Sequence, residues 1–507
     1  MEWLRADDYW LARTVFQRAL AAIYVIAFLV ALRQFRPLLG ERGLLPVPSL
    51  LAAVRFRDAP SLFHWRYSDR LLVAVAWCGI AFASAAVLGL TDLLPTPLAM
   101  AVWLALWALY LSIVNVGQTF YAFGWESLLC ETGFLAIFLG NAQVAPPIVL
   151  VYLMRWLVFR VELGAGLIKM RGDRCWRDLT CLYYHHETQP MPGPLSWYFH
   201  HLPKRFHRLE VLGNHFAQLV APVFLFAPQP IAAVAGLIVI GTQGWLVLSG
   251  NFAWLNVITM VLAVASLDDA TLGLLGLSHG APLGLGGDAA QGSHTVPILP
   301  IWLSGGAAQG SQAVPILPLW YGGLVLAVTA LIVALSYRPA RNLLSRRQLM
   351  NYSFDPFHIV GTYGAFGSVT KERDEVIIEG TSDAVLTPQT EWREYEFKAK
   401  PGDVHRRPSQ FAPYHLRLDW LMWFAAMSSP VYHGWFVPFL TKLLQADRPT
   451  LALLRHDPFG GEAPRFVRAR LYRYRFTTPA ERRASGAWWH RELLGDYLPP
   501  VSLRRDS

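Results

Sequence analysis

Charge is scarce in this chain. Of its 507 residues 16% are charged, whereas ordinary soluble proteins carry about 25%. Lysine is scarcer still: it occurs only at Lys169, Lys204, Lys371, Lys398, Lys400 and Lys442, a bias in keeping with GC-rich coding. No basic run interleaved with stacking aromatics occurs, so the net charge of +9 suits anionic lipid headgroups and does not indicate nucleic acid as a partner. Cysteine is limited to four residues. Cys78 and Cys130 lie inside apolar runs and read as plain buried thiols. Cys175 and Cys181 sit in a polar stretch, a pair too sparse for a zinc site although His185, His186, His200 and His201 are near. Adjacent histidines seldom both ligate one ion, so no metal or other cofactor is expected. On an oxidising face Cys175 and Cys181 could instead close a small disulfide ring.

Apolar residues are what the chain has. They make up 54% of it, and the mean hydropathy is +0.32. The first 340 residues hold most of the apolar runs, while Arg, Glu and Asp crowd the last 170. This asymmetry predicts a multi-pass helical membrane domain over 1–340 and a soluble α+β domain over 341–507. Crossing a hydrocarbon core about 30 Å thick takes about 20 apolar residues. The stretches 14–32, 71–90, 98–114, 126–140, 146–169, 210–227, 231–250, 252–267 and 320–337 approach that length. Two of them, 126–140 and 252–267, are short enough to be half-buried or re-entrant, so six to nine spans are expected. The first run follows an acidic flank, is too long for a cleaved signal and precedes no A-x-A site; it reads as a retained anchor.

Orientation stays open at this level. The 33–70 loop carries Arg33, Arg36, Arg42, Arg55, Arg57, Arg66 and Arg70, which the positive-inside rule assigns to the cytoplasm. The 170–209 loop is basic too, and the rule applies poorly to ordered surface structure.

Polar residues inside the apolar runs mark sites, because a charge in hydrocarbon is costly. Arg155, Glu162 and Lys169 recur every seven residues, nearly two helical turns, and so share one helix face. Gly164 and Gly166 beside them permit close approach of a neighbour. Two readings compete. In one, a charged interior grips a ligand or proton; in the other, Lys169 lies at the interface, Arg155 snorkels and Glu162 pairs within the bundle. Glu126, Glu131, Arg13, Arg18 and His215 offer partners.

Two further patterns carry no function. "GLSHG" (276–280) matches a nucleophile elbow, but no strand precedes it and a Gly-rich run follows. "AAQGSHTVPILPIW" (289–302) recurs as "AAQGSQAVPILPLW" (307–320), two copies where a stacked repeat needs three or more. The stretch 268–319 therefore reads as a duplicated insertion. After Tyr337 come short β-type runs, two helical stretches near 414–427 and 435–446, and "RFVRARLYRYRF", which alternates Arg with aromatic residues as a half-buried strand would. The arginines of that strand either bind an acidic partner or form a solvated sheet face.

"FRPLLGERGLLPV" (35–47), "NVGQTFYAFGWESLLCETGFLAIFL" (115–139), "WRDLTCLYYHHETQPMPGPLSWYFHHLP" (176–203) and "SGNFAWLNVIT" (249–259) resemble the lipase maturation factor family. So do "GTYGAFGSVTKERDEVIIEG" (361–380), "YEFKAKPGDVHRRPSQFAPYHLRLDWLMWFAAM" (395–427) and "HDPF" (456–459). The resemblance runs from about residue 10 to 500, and only 268–319 departs from it. It implies a multi-pass protein of the endoplasmic reticulum membrane, or of the cytoplasmic membrane in a bacterium. The loops and C-terminal domain would face the lumen or periplasm. It also implies a role in folding secreted lipases, which would then be the partners alongside the bilayer. The apolar runs are distantly similar to the membrane part of vitamin K-dependent carboxylases, which keeps an intramembrane enzyme as the alternative.

The 176–203 stretch draws these readings together. Pro190, Pro192 and Pro194 stiffen it, and its aromatic and polar side chains offer amphipathic contact at little entropic cost. Client contact nominates Trp176, Arg177, Asp178, Tyr183, Tyr184, His185, Glu187, Gln189 and Trp197. A cap over the bundle is the second reading, with Trp176 and Trp197 as interface anchors. Catalysis is the third, but no nucleophile and base occur at a meaningful spacing, so no catalytic residue is nominated. A transporter ranks last for want of inverted repeats.

Overall fold

The structure is a computed structural model that describes residues 1–277 and 317–503. Ser278 of the "GLSHG" pattern and both copies of the duplicated stretch lie largely or wholly outside those residues. The N-terminal helices are α1 (Trp10–Leu39), α2 (Asp69–Val87), α3 (Thr96–Asn115), α4 (Gly124–Ile137) and α5 (Ile148–Arg171). After them come α6 (Leu182–Thr188), α7 (Lys204–His215), α8 (Ile231–Ser249), α9 (Leu255–Ala263) and α10 (Leu319–Leu344). A π turn and a 3-10 turn prolong α7 to Phe226, where Pro222 has no N–H with which to continue a regular ladder.

Among the described residues six helices are long and apolar enough to cross a membrane: α1, α2, α3, the prolonged α7, α8 and α10. Three of the sequence candidates fall outside that set. The 126–140 stretch is α4, only 14 residues long and buried along its whole length. The 252–267 stretch yields the short α9. The 146–169 stretch is the 24-residue α5, but Arg155, Arg160, Glu162 and Lys169 all lie on it and are at most 4% exposed. Its charges keep it out of that set, and they are buried among protein groups.

The C-terminal part carries a two-stranded ribbon, β1 (Tyr352–Ser353) with β2 (Gly361–Thr362), and a four-stranded antiparallel sheet. The sheet runs in the order β4 (Arg393–Glu394), β3 (Arg373–Thr381), β5 (Phe466–Phe476), β6 (Trp489–Val501). Helices α11 (Arg417–Ala426) and α12 (Phe436–Leu444) pack beside it. The arginines of β5 do not form a free basic stripe. Arg468 pairs with Glu379, Arg470 with Asp496, Arg473 with Asp374 and Glu372, and Arg475 with Glu481. Each charge meets a carboxylate, so the acidic-partner reading loses its motive and the sheet-face reading fits.

One buried apolar cluster runs from Leu4 to Ala469 and takes in both parts of the chain. Backbone from the C-terminal part lies directly on α5. A Cβ on Gly164 would stand 2.3 Å from the Tyr363 carbonyl oxygen, and one on Gly172 would stand 2.1 Å from that of Gly367. Glycine at these positions therefore admits the crossing chain. Gly166 instead faces Leu219 and Gln218 of the prolonged α7.

Candidate functional site: a cavity with a polar wall

A cavity of about 630 Å³ lies between α5, α7, α8, α6 and the 363–368 segment. Aromatic and apolar side chains make most of its wall, among them Phe123, Trp125, Trp176, Phe206, Trp245, Phe252, Phe366, Trp420 and Phe424. The polar groups cluster. Glu162, Lys169, His185, His186, Glu210, Asn214, Gln218 and Gln243 all line it. A few convergent polar groups in an apolar enclosure are the usual makeup of a small-molecule or peptide pocket.

Lys169 donates to Gln218 Oε1 at 2.8 Å and to Asn214 Oδ1 at 3.0 Å, and its Nζ lies 4.9 Å from the Trp176 ring centre. Gln243 donates to Glu162 Oε1 at 2.5 Å. Glu162 and Lys169 thus share the cavity wall, as their helical spacing predicts. Arg155 does not join them. Its guanidinium donates to the carbonyls of Ala265 and Leu225 and to the Tyr9 hydroxyl, and it does not line the cavity. Lys169 is buried and tied to side chains of α7 and its extension.

The loop contributes side chains to the cavity wall. Cys175 and Cys181 form a disulfide with a Cα–Cα distance of 4.8 Å. Trp176 donates from Nε1 to the Phe366 carbonyl at 2.7 Å and, with His185, faces the cavity. Burial pushes the His185 imidazole down to about 3, helped by His186 and Lys169, so the ring is neutral at ordinary pH. Gln189 is buried and donates to the carbonyls of His186 and Ser249 and to Ser196 Oγ. Glu187 accepts from the Phe476 N–H at 2.6 Å, and burial raises its carboxyl above the usual range. Trp197 donates to the Thr477 carbonyl at 2.8 Å beneath Arg482. A side chain buried in this way offers little area to a client. Of the nine nominated residues, Trp176, His185, Gln189 and Trp197 are buried. Arg177 and Asp178 are exposed, and Tyr183, Tyr184 and Glu187 are half-buried.

The sequence compares with known families over nearly its whole length. Residues 11–274 match a family model described as the lipase maturation factor transmembrane domain, and residues 359–499 match the lipase maturation factor C-terminal domain. Lipase maturation factor 1 of Bos taurus is 44% identical over 98% of this chain and 90% of its own length. The human protein of that name is also 44% identical, over 99% of this chain and 89% of its own. Human lipase maturation factor 2 is 29% identical over 97% of this chain and 83% of its own. No solved structure matches. The chain belongs to the lipase maturation factor family.

This family member is an integral membrane protein whose loop and C-terminal sheet are stitched together by residues that sequence reading missed. Arg373, at the start of β3, donates to the carbonyls of Glu187, Gln189 and Pro190 and also pairs with Glu375. Lys400 reaches Glu375 from the other side at 3.0 Å. Arg417 of α11 pairs with Glu126 of α4 at 2.8 Å and donates to the Phe120 carbonyl at 2.6 Å. Arg160 of α5 pairs with Glu131 of α4, which also accepts from Tyr363 Oη at 2.6 Å and from the Gly361 N–H at 2.9 Å. Glu126 and Glu131 stood out as carboxylates in an apolar run, but their arginine partners lie 291 and 29 residues away. Local pattern carries no sign of such pairs. Arg13 donates to the Val144 carbonyl, Arg18 lies 3.8 Å from Asp92 and His215 meets the Trp176 carbonyl, so none of these pairs with Glu162 or Lys169.

Proposed function

We propose that this chain assists the maturation of secreted lipases by holding partly folded clients non-covalently at an extracytoplasmic membrane face. That face is the lumen of the endoplasmic reticulum, or the periplasm in a bacterium. The observation that carries the reading is the kinship to lipase maturation factors through both the membrane and the C-terminal regions. The loop supports it in a modified form. Its buried aromatics brace it between the helices and the sheet, which leaves Arg177, Asp178, Tyr183 and Tyr184 as a preorganised outer edge for a client. The test is photocrosslinking in cells from positions 183 and 184, in a strain whose secreted lipase is measured for amount and activity. Removing the gene should leave lipase protein present but inactive or aggregated, and crosslinks should capture lipase before it matures. Lipase of normal specific activity without the gene overturns the proposal.

The cavity favours one alternative, an intramembrane enzyme that uses Lys169, Glu162 or His185. It is distinguished by Lys169→Met, Glu162→Gln and His185→Gln. If any one of them abolishes lipase maturation while folding and client crosslinking persist, chemistry rather than holding is the function.

A further inference from the structure

At the loop side of the cavity two helices bring three metal-ligating side chains together. His186 projects from α6, and His207 and Glu210, three residues apart on α7, project toward it. One ligand atom from each lies within 4.8 Å of the others. His186 Nε2 and His207 Nδ1 each stand 3.7 Å from Glu210 Oε2, too far for a hydrogen bond. Both imidazoles are only 1% exposed. Among the described residues neither His186 nitrogen, nor His207 Nδ1, nor Glu210 Oε2 has a hydrogen-bond partner. Four buried polar atoms without partners, three of them turned on one point, are costly and call for a cause.

The surroundings match what a metal requires of its ligands' supports. Glu210 Oε1 accepts from Trp245 Nε1 at 2.7 Å, which orients the carboxylate and leaves Oε2 free. His207 Nε2 faces the His200 carbonyl at 3.4 Å, so a proton on Nε2 leaves the Nδ1 lone pair directed inward. Phe199 stacks on His186 with ring centres 5.5 Å apart and fixes its plane.

We propose that His186, His207 and Glu210 hold a divalent transition-metal ion, zinc by the chemistry of this nitrogen and oxygen set. Two histidines and one glutamate, with no sulfur, are a known three-ligand zinc set that keeps a fourth position open. Tetrahedral bonds of about 2.0–2.1 Å set ligand atoms about 3.3 Å apart, so small side-chain rotations close the observed triangle. His186 and Glu210 also line the cavity. The fourth position therefore faces inward, where water or an oxygen atom of a guest completes the tetrahedron. The ion ties α6 of the loop to α7 of the membrane part. Sequence reading expected no metal because it weighed histidines within the loop, whereas His207 and Glu210 belong to the next helix.

The test uses the full chain purified in detergent, incubated with zinc and freed of excess, with metal counted by mass spectrometry. Wild type should hold about one zinc per chain, and His207→Gln and Glu210→Gln should each lower occupancy about tenfold or more. His433→Gln, on a surface turn, should keep it. To separate loss of the site from loss of folding in the ligand variants, wild type loaded with cobalt is measured as well, and should show the intense visible absorption of a tetrahedral site. Wild type without bound metal and without that absorption overturns the proposal. So do folded ligand variants that hold as much metal as wild type.

Discussion

Glu126 shows how the membrane part depends on single distant side chains. Its carboxylate accepts from Tyr110 Oη and pairs with Arg417, whose guanidinium lies 3.3 Å from the Tyr121 ring centre. A buried pair adds little net stability over apolar replacements, but breaking it strands a charge. Arg417→Met should therefore cost about 3–5 kcal/mol, and adding Glu126→Gln should recover part of that loss. Thermal unfolding in detergent of the single and double variants checks this, and equal losses would refute the pairing. Beside the pair, His415 is enclosed by Phe123, Trp125, Trp254 and Trp420, with its Nδ1 3.8 Å from Glu126. Burial lowers its imidazole to about 4, below the ordinary 6.5, against the pull of Glu126. The folded state thus favours the neutral ring. Its contribution is complete above pH 6.5 and is lost as pH falls from there toward 4, by at most about 1.4 kcal/mol per pH unit. His415→Gln should flatten the stability profile in that window, and an unchanged slope counts against the assignment.

At the scale of elements, the loop from 172 to 203 behaves as a brace. The disulfide closes its first turn beside Trp176, Leu182 and Val211, which form a small apolar cluster of their own. Arg373 then clamps the carbonyls of Glu187, Gln189 and Pro190, and Trp423 donates to the Thr188 carbonyl between them. Closing so small a ring is worth about 2–3 kcal/mol. The Cys175→Ser/Cys181→Ser double variant should lose that stability, and reducing agent should destabilise wild type but not the variant. Mass spectrometry of unreduced peptides is the direct check, and free alkylatable thiols at both positions in protein from an oxidising compartment would be the contrary result.

Across the whole molecule, several contacts bring extramembrane parts to one end of the bundle. Glu187 and Trp197 of the loop meet Phe476 and Thr477 of the sheet. Gln34, near the end of α1, donates to the His415 carbonyl at 2.7 Å, and Asn115 donates to the carbonyls of both Pro60 and Pro356. The arginine-rich 33–70 loop therefore packs at the same end of the molecule as the C-terminal part. A cytoplasmic 33–70 loop and an extracytoplasmic sheet cannot both hold, and an ordered, packed loop is where the positive-inside rule is weakest. Cysteines introduced at Arg57, Arg177 and Ser382, all exposed, should label together from outside in a chain whose Cys78 is replaced by serine. Labelling of one without the others would break the shared-face arrangement.

Composition and periodicity alone determined that the chain is a helical membrane protein with a mixed C-terminal region, because long apolar runs and period-two strands are local properties. The family resemblance likewise rested on contiguous residues. The seven-residue spacing of Glu162 and Lys169 placed them on one wall, since helical geometry is local too. Arg155 left that wall because its partners, at Ala265, Leu225 and Tyr9, are fixed by packing. How the charges of α5 are buried, which loop aromatics are buried, and which carboxylate meets which arginine were decided only by the tertiary structure. Those outcomes depend on residues hundreds of positions apart meeting in one low-dielectric interior, where a buried charge must find a partner wherever the fold supplies one.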